Sequence, residues 1–297
     1  MKYNVVIPLS QSNIPLLKTL SFYIKNNLDV KDIVVISKGD CKDKIKELSP
    51  DCIFFDEDKI VEGLTFNNIT ELVHKRNKYS RNRSGWYFQQ FLKYSYAYLC
   101  KDEYYLIWDA DTIPINKIHM VDEESKPYFD VKHEYHKPYF STIGRLFNND
   151  VKKPLPFSFI SEHMLFKTEY VIEMLNRIEA NSNIDGTKYF EKIINAVRKV
   201  DISGSGFADY ETYGCYVSRY YPGLYKERIV PSLREGMIVF GENPTPEQLE
   251  WAAKDYDIVS FEFSRKQDVK IKEKLNLIMQ NQSLKDFVEQ NNIAEYI

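Results

Sequence analysis

An unbroken apolar run that ends in two carboxylates constrains this chain more than any other feature of its sequence. Residues 104–111 read YYLIWDAD, so aromatic and aliphatic residues lead directly to Asp109 and Asp111 with one alanine between them. Such a run is typical of a strand covered on both faces, as in the middle of a largely parallel sheet. Because parallel α/β sheets bind ligands at the carboxyl ends of their strands, the sequence predicts a functional site at these two acids.

The spacing of the two acids indicates a divalent cation. Two carboxylates so close raise each other's proton affinity unless a cation lies between them. A solvated turn or a helix cap is the alternative, but the apolar residues Ile113, Pro114 and Ile115 that follow make a solvated turn the poorer account. Hard cations take carboxylate oxygens and share them with substrate phosphates. We therefore predict that Asp109 and Asp111 bind Mn²⁺ or Mg²⁺.

Strand and helix patterns alternate through the first third of the chain in βαβ order. The predicted strands there span residues 3–9, 32–37 and 52–55, and a helix with Pro15 in its first turn spans residues 12–27. Further along, helical patterns cover residues 69–74, 85–94, 168–181, 188–200 and 208–221, and the capping pattern at Thr245 opens another helix. Further strands are predicted at residues 158–166, 237–240 and 258–263.

Composition narrows the class of protein. The 297 residues favour one large α/β domain, and 43% hydrophobic with 28% charged residues is ordinary for a globular chain. A formal charge of −3 provides no field that would recruit nucleic acid. The four cysteines form no C-x-x-C pair, and the sequence shows neither a signal-peptide pattern nor an apolar stretch long enough to span a bilayer. We therefore expect a cytoplasmic protein with reduced thiols.

Four segments together resemble one enzyme family. They are WDAD at 108–111, GWYFQQFLKY at 85–94, SFISEHMLF at 158–166 and FADYETYG at 207–214. After an N-terminal βαβ half, this combination resembles the GT-A fold nucleotide-sugar glycosyltransferases, and it looks most like bacterial families from surface-polysaccharide loci. The resemblance implies a GT-A-like single domain over residues 1–263, with a mixed, mostly parallel sheet flanked by helices. Residues 264–297 would form a charged C-terminal helical extension.

The resemblance also implies a set of donor-binding residues. In such enzymes the D-x-D carboxylates hold the metal against the donor diphosphate, and a lysine on the preceding helix meets a phosphate oxygen. A core helix with incidental polar ends is the alternative for residues 85–94. The implied donor contacts are Pro8, Leu9, Ser10, Lys38, Gln89, Gln90, Lys93, Asp109, Ala110, Asp111 and Glu162.

Two polar residues interrupt the segment 158–166. Glu162 and His163 stand in an otherwise apolar pattern, where charge is costly unless it is paired or used. Because no histidine follows His163, the late metal-binding histidine of GT-A enzymes is absent, and His163 is the candidate third metal ligand; a hydrogen-bonded structural histidine is the alternative. His133 and His136 lie in a segment that either shapes an acceptor pocket or forms a solvated loop.

The segment FADYETYG carries the candidate catalytic acids. A flexible SGSG leads to a helix start with Asp209 and Glu211, where inverting GT-A enzymes present a general base to the acceptor hydroxyl. Acids in the first turn of a helix are also favoured by the helix dipole, so a capping role is the alternative. Glu211, deeper in the helix, is the preferred catalytic residue.

The combined prediction is a metal-dependent glycosyltransferase that moves a sugar from a nucleotide-sugar donor, with UDP as the favoured nucleotide, to a glycan or glycolipid acceptor. A basic C-terminal helix with Lys266, Lys270, Lys272 and Lys274 would allow peripheral contact with the inner face of the membrane. The alternatives are a phosphatase of the haloacid dehalogenase type, whose D-x-D motif normally lies near the N-terminus, and a non-catalytic sugar-binding protein on a transferase fold.

Overall fold

The computed structural model describes residues 1–78, 83–154, 156–262 and 282–293, together with residues 271, 274, 275 and 279. The strands are β1 Tyr3–Pro8, β2 Val30–Ser37, β3 Ile53–Asp56, β4 Tyr104–Trp108, β5 Thr112–Pro114, β6 Tyr128–Asp130, β7 His163–Lys167, β8 Lys226–Arg228, β9 Ser232–Leu233 and β10 Ile258–Ser260. The α-helices are α1 Leu17–Asn27, α2 Lys42–Leu48, α3 Phe66–Arg76, α4 Ser84–Ser95, α5 Lys137–Leu146, α6 Thr168–Ala180, α7 Tyr189–Ala196, α8 Asp209–Tyr220, α9 Gly236–Phe240, α10 Pro246–Ala252 and α11 Leu284–Gln290.

A five-stranded sheet in the order β3-β2-β1-β4-β7 forms the centre of the described structure. Strands β3, β2, β1 and β4 run parallel, and β7 pairs with β4 in the antiparallel sense. The strands β5, β10 and β9 form a second sheet, and β6 pairs with β8. The predicted fold class, a mixed and mostly parallel sheet flanked by helices, is therefore confirmed.

Two hydrophobic clusters cover the two faces of the central sheet, which explains the unbroken apolar run in β4. Successive side chains of a strand point to opposite faces, so both sets of residues in a doubly covered strand must be apolar. Tyr105 and Ile107 pack into an aromatic-rich cluster with residues of α3 to α8. Tyr104, Leu106 and Trp108 pack into the opposite cluster with residues of α1 and of the C-terminal elements.

Several element predictions need correction. Residues 237–240, predicted as a strand, lie in the short helix α9, because a short buried apolar run does not distinguish the two structures. Only the end of segment 158–166 is a strand, since β7 begins at His163 and Glu162 has a positive φ of 61° that interrupts extended backbone. The helix predicted at residues 69–74 extends over Phe66–Arg76, with Thr65 as its N-cap.

The C-terminal region is described only in part. Lys266, Lys270 and Lys272, which the membrane-contact prediction uses, lie outside the described residues. Within the described part, Leu284 and Phe287 of α11 are buried in the second cluster, with 0% and 2% of their surface exposed. The boundary between residues 263 and 264 stays a prediction. None of the described helices is long and apolar enough to cross a membrane.

Candidate active site

The turn after β4 is held by its own backbone and by neighbouring strands. The amide of Asp109 donates to the carbonyl of Glu162 at 2.9 Å, and the amide of Phe261 donates to the carbonyl of Asp111 at 2.7 Å. The indole nitrogen of Trp108 donates to the carbonyl of Thr112 at 2.6 Å. These contacts tie the two acids to β7 and β10, so their carboxylates are presented from a rigid edge of the sheet.

Lys93 joins the acidic turn to helix α8. Its Nζ lies 2.7 Å from Oδ1 of Asp109 and 2.9 Å from Oδ2 of Asp209, and only 4% of the lysine side chain is exposed. The hydroxyl of Tyr210 donates to the same Oδ1 of Asp109 at 2.9 Å, and the ammonium lies 4.1 Å from the centroid of the Tyr210 ring. Burial lowers the pKa of Lys93, but Asp109 and Asp209 outweigh it and hold that pKa above its usual value. The lysine is thus a buried, charged link between β4 and α8.

Among the described residues, no ion pair of this kind is formed by Asp111. Among the described residues its carboxylate accepts one long hydrogen bond, from Oγ1 of Thr112 at 3.4 Å. Burial, followed by the charges of Asp109 and Glu262, raises the pKa of Asp111 to about 7. A nearby cation would stabilise the ionised form of a carboxyl group in these surroundings.

Glu162 faces the same region from the turn before β7. Its Oε2 accepts from Nζ of Lys132 at 2.5 Å, and its Oε1, 3.7 Å from Nε of Arg234, has no hydrogen-bond partner among the described residues. Arg234 also lies 2.6 Å from Oε1 of Glu262. Sequence reasoning selected Glu162 but missed Lys132, Arg234 and Glu262, because their charges carry no local pattern. They reach the site only through tertiary packing.

His163 is engaged away from the two acids. Its Nε2 lies 2.5 Å from Oδ2 of Asp130, and its ring stacks on Trp108 with centroids 4.6 Å apart. Burial tends to raise the pKa of Asp130, but His163 and Arg228 outweigh it and lower that pKa to about 2. Within the described ranges, no three histidine, cysteine or acidic side chains are grouped to hold a metal ion. The third-ligand role of His163 stays a prediction that this geometry does not support.

The two candidate catalytic acids differ in their surroundings. Asp209 pairs with Lys93 as described, and burial raises its pKa while Lys93 opposes that shift. Glu211 is 1% exposed, and its Oε1 accepts from the hydroxyl of Ser158 at 2.5 Å and from the amide of Phe159 at 3.2 Å. Burial raises the pKa of Glu211, and its Oε2 has no hydrogen-bond partner among the described residues.

A cavity of about 740 Å³ opens at the carboxyl ends of β1 and β2. It brings together five of the predicted donor contacts, which are Pro8, Leu9, Ser10, Lys38 and Gln89. Its volume falls in the range of small-molecule sites. Helix α4 lines the cavity with Gln89 and carries Lys93 one turn further on, so it connects the cavity to the acidic cluster.

Gln90 and Ala110, two further predicted donor contacts, do not line this cavity. Gln90 is 3% exposed, and its Oε1 accepts from the amide of Asp209 at 2.9 Å, so it caps helix α8. Ala110 is buried in the second hydrophobic cluster. Their donor-binding roles stay predictions.

Several cavity residues were not found from the sequence. Glu57 and Asp58 follow β3, whose carboxyl end lies at the same sheet edge, so the position of that strand was an available signal. Burial, followed by the charges of Asp58 and Asp56, raises the pKa of Glu57 to about 7. Phe66 and Trp86 provide aromatic walls from α3 and α4. An aromatic wall with a few carboxylates can bind a planar ring that carries hydrogen-bond donors.

The sheet order, the cavity and the acidic cluster define a mixed α/β protein with a ligand-sized site at the carboxyl ends of parallel strands. The chain belongs to the family of unknown function DUF6492, whose model matches residues 10–218. No match was found in a search of curated proteins.

The solved structures that resemble the chain include three glycosyltransferases. Apo mouse xyloside xylosyltransferase 1 has a TM-score of 0.41 and 10% identity, over 89% of this chain and 99% of that one. The bifunctional glycosyltransferase WbbM has a TM-score of 0.44 and 13% identity, over 99% of this chain and 52% of that one, about half its length. The galactosyltransferase LgtC, in complex with donor and acceptor sugar analogues, has a TM-score of 0.44 and 8% identity, over 96% of this chain and 99% of that one. At these values the likenesses carry no activity, substrate or metal over to this chain.

Proposed function

We propose that this protein is a metal-dependent glycosyltransferase that uses a nucleotide-sugar donor, specifically a UDP-sugar, and a glycan or glycolipid acceptor. The observation that carries the proposal is that one helix, α4, lines the 740 Å³ cavity with Gln89 and pairs with Asp109 of the acidic turn through Lys93. The cavity would hold the nucleoside between Phe66, Trp86 and the ends of β1 and β2. The diphosphate would then extend along α4 toward Asp109 and Asp111.

The two carboxylates suit a cation whose coordination shell would be completed by the phosphates of the donor. Mg²⁺ and Mn²⁺ are commonly held by one or two carboxylates together with substrate phosphates, so a site with fewer than three protein ligands suits them. Asp111 and the second carboxylate oxygen of Asp109 would hold the ion, and the raised pKa of Asp111 reflects a charge that a cation would offset. When bound, the metal would neutralise the charge of the leaving diphosphate.

Lys93 has a different role in this proposal from the phosphate contact expected from the sequence. Its ammonium is already bound by Asp109 and Asp209. It would position the carboxylate of Asp109, with Tyr210 donating to the same oxygen. A positioned carboxylate loses less conformational freedom when the metal and the donor bind.

Glu211 is the preferred general base. The acceptor oxygen would form a bond to the anomeric carbon as the bond from that carbon to the diphosphate breaks, and the hydroxyl proton would pass to Glu211. Burial raises the pKa of Glu211, which strengthens its carboxylate as a base, and its Oε2 has no hydrogen-bond partner among the described residues. Since Glu211 is 1% exposed, the proton would reach it directly from a seated acceptor or through one water molecule. Inversion at the anomeric carbon follows from this single-displacement scheme.

Calorimetric titration with nucleotides tests the proposal. We expect the wild type to bind UDP in the presence of Mn²⁺ or Mg²⁺ and to bind it much more weakly with excess chelator. The affinity of Asp111→Asn for UDP should be the same with and without the metal. A screen of nucleotide sugars for released nucleotide would then identify the donor. Hydrolysis of phosphomonoesters without metal-dependent UDP binding would instead favour the phosphatase, and sugar binding without any nucleotide binding would favour the non-catalytic alternative.

A further inference from the structure

A stacked pair of aromatic rings, one exposed and one half-buried, lies on the chain next to Lys132 and Glu134, which contact Glu162 and Arg234. Tyr135 is 66% exposed, yet its ring stacks on Phe140 with centroids 5.2 Å apart and planes 10° from parallel. The ammonium of Lys153 lies 4.8 Å from the Phe140 centroid and 5.8 Å from the Tyr135 centroid. We call the rings of Tyr135 and Phe140, with Lys153 beside them, the aromatic platform. Single exposed rings are common on protein surfaces, so the position of this pair relative to the candidate base and the acidic turn, rather than its exposure, points to a use.

Buried contacts hold the platform in place. Lys153 donates to the carbonyl of Phe157, and the next residue, Ser158, donates to Glu211 at 2.5 Å. The backbones of Lys132 and Ser158 exchange two hydrogen bonds, at 3.0 and 2.7 Å. The two segments that carry the platform are therefore joined to each other and to the candidate base.

The platform also connects to the acidic turn from two sides. Lys132 binds Oε2 of Glu162 at 2.5 Å, and the carbonyl of Glu162 accepts from the amide of Asp109 at 2.9 Å. Glu134 lies 3.7 Å from Arg234, which pairs with both Glu162 and Glu262. Residues 132 and 134 thus contact Glu162 and Arg234, and Tyr135 follows directly in the chain.

We propose that the aromatic platform binds a pyranose ring of a carbohydrate acceptor. A pyranose has apolar C–H faces and a rim of hydroxyl groups, which match a flat aromatic surface bordered by polar side chains. The exposed His133 and the half-buried Glu134 and Lys153 provide that border. An acyl chain would instead require a longer uncharged groove. The identification of this sugar as the acceptor rests on the proposed transferase function, whereas the presence of a sugar site does not.

Saturation-transfer NMR with methyl glycosides tests the platform directly. The probes are the α- and β-methyl pyranosides of glucose, galactose, mannose, rhamnose and N-acetylglucosamine, added to the full chain. We expect at least one to receive saturation from the wild type, with its apparent affinity reduced about 2- to 10-fold or more in Tyr135→Ala. Tyr135→Phe should bind like the wild type because the ring is kept. Phe22→Ala is the matched control, since Phe22 is 62% exposed in another ring pair, on α1.

The outcomes separate the sugar site from the transferase. Binding of no probe, or equal binding by the wild type and Tyr135→Ala, would overturn the platform. Metal-dependent UDP binding is measured on the same samples, and we expect Tyr135→Ala to retain it. Loss of glycoside binding in Tyr135→Ala without any UDP binding by the wild type would support the sugar site and reject the transferase.

Discussion

The carboxylate of Asp111 carries a charge that its surroundings oppose. Its pKa rises from 3.8 to about 7 in the fold, so between these values the folded state holds a proton that the unfolded state has released. The ionised form therefore costs stability, and this cost grows as the pH rises toward 7 and remains above it. A residue kept at such a cost is typical of a functional site.

We expect Asp111→Asn to raise the melting temperature of the metal-free protein at pH 8 and to change it far less near pH 4. Thermal unfolding with chelator at the two pH values measures the difference. Added Mn²⁺ should stabilise the wild type at pH 8 but not the variant. An equal effect of the substitution at both pH values would contradict the assignment of the raised pKa to Asp111.

Glu211 and Asp209 lie on one helix but are predicted to differ in catalysis. Glu211→Gln keeps an oxygen for Ser158 and Phe159 and removes the base, so we expect kcat to fall by roughly 10²- to 10⁴-fold with little change in donor affinity. Asp209→Asn should cost far less in kcat. Steady-state kinetics with the identified donor measures both. If the ranking is reversed, Asp209 is the base.

At the scale of secondary-structure elements, α4 organises the site. Its aromatic residues pack in the first hydrophobic cluster, while Gln89 faces the cavity and Lys93 faces Asp109 and Asp209. The start of α8 is capped by Gln90 of the same helix. One helix therefore sets the relative positions of the cavity, the acidic turn and the helix with the candidate base.

Removal of the Lys93 charge should loosen this arrangement. In Lys93→Ala the buried carboxylate of Asp209 and the half-buried carboxylate of Asp109 lose their cation, so we expect the free energy of unfolding at pH 7.5 to fall by about 3–5 kcal/mol. Adding Asp209→Asn should recover part of the loss because one of the orphaned charges is gone. Urea denaturation of the single and double variants gives both values. In the same samples UDP should lose more affinity than uridine, and equal losses would argue against a role for Lys93 near the diphosphate.

At the scale of the whole molecule, the C-terminal region adds to the second hydrophobic cluster. Phe287 is 2% exposed and lies 6.3 Å, ring to ring, from Trp251, whose indole nitrogen donates to the carbonyl of Gln282 at 2.9 Å. Helix α11 thus packs on the same core as α10. The charged extension predicted beyond residue 263 includes core residues.

We expect Phe287→Ala to lower the free energy of unfolding by about 3–5 kcal/mol, as for other buried aromatic residues. Glu289→Ala, an exposed change on the same helix, should stay within about 0.5 kcal/mol of the wild type. Chemical denaturation compares the two. If Phe287→Ala unfolds like the wild type, packing of Phe287 on the second hydrophobic cluster does not stabilise the fold.

The spacing of apolar residues was enough to predict the secondary-structure elements in which that spacing is regular. The run in β4 predicted a doubly covered strand because both faces of its residues are apolar, and the spacing of residues 168–181 predicted α6. The pattern was insufficient at residues 237–240, where a short buried run suits a strand and a helix equally. It also missed the break before β7, since no local pattern marks Glu162, whose φ is positive and whose contacts are with Lys132 and the acidic turn.

The sequence by itself determined the α/β order, the strand that ends in Asp109 and Asp111, and the part of the cavity formed by the ends of β1 and β2. These follow from short-range periodicity and from the rule that parallel strands expose their carboxyl ends at one edge. Only the tertiary structure decided which charges meet. Lys93 joins Asp109 to Asp209, His163 turns to Asp130, and Arg234 reaches Glu162, because Coulomb interactions act between residues that packing brings together from distant parts of the chain.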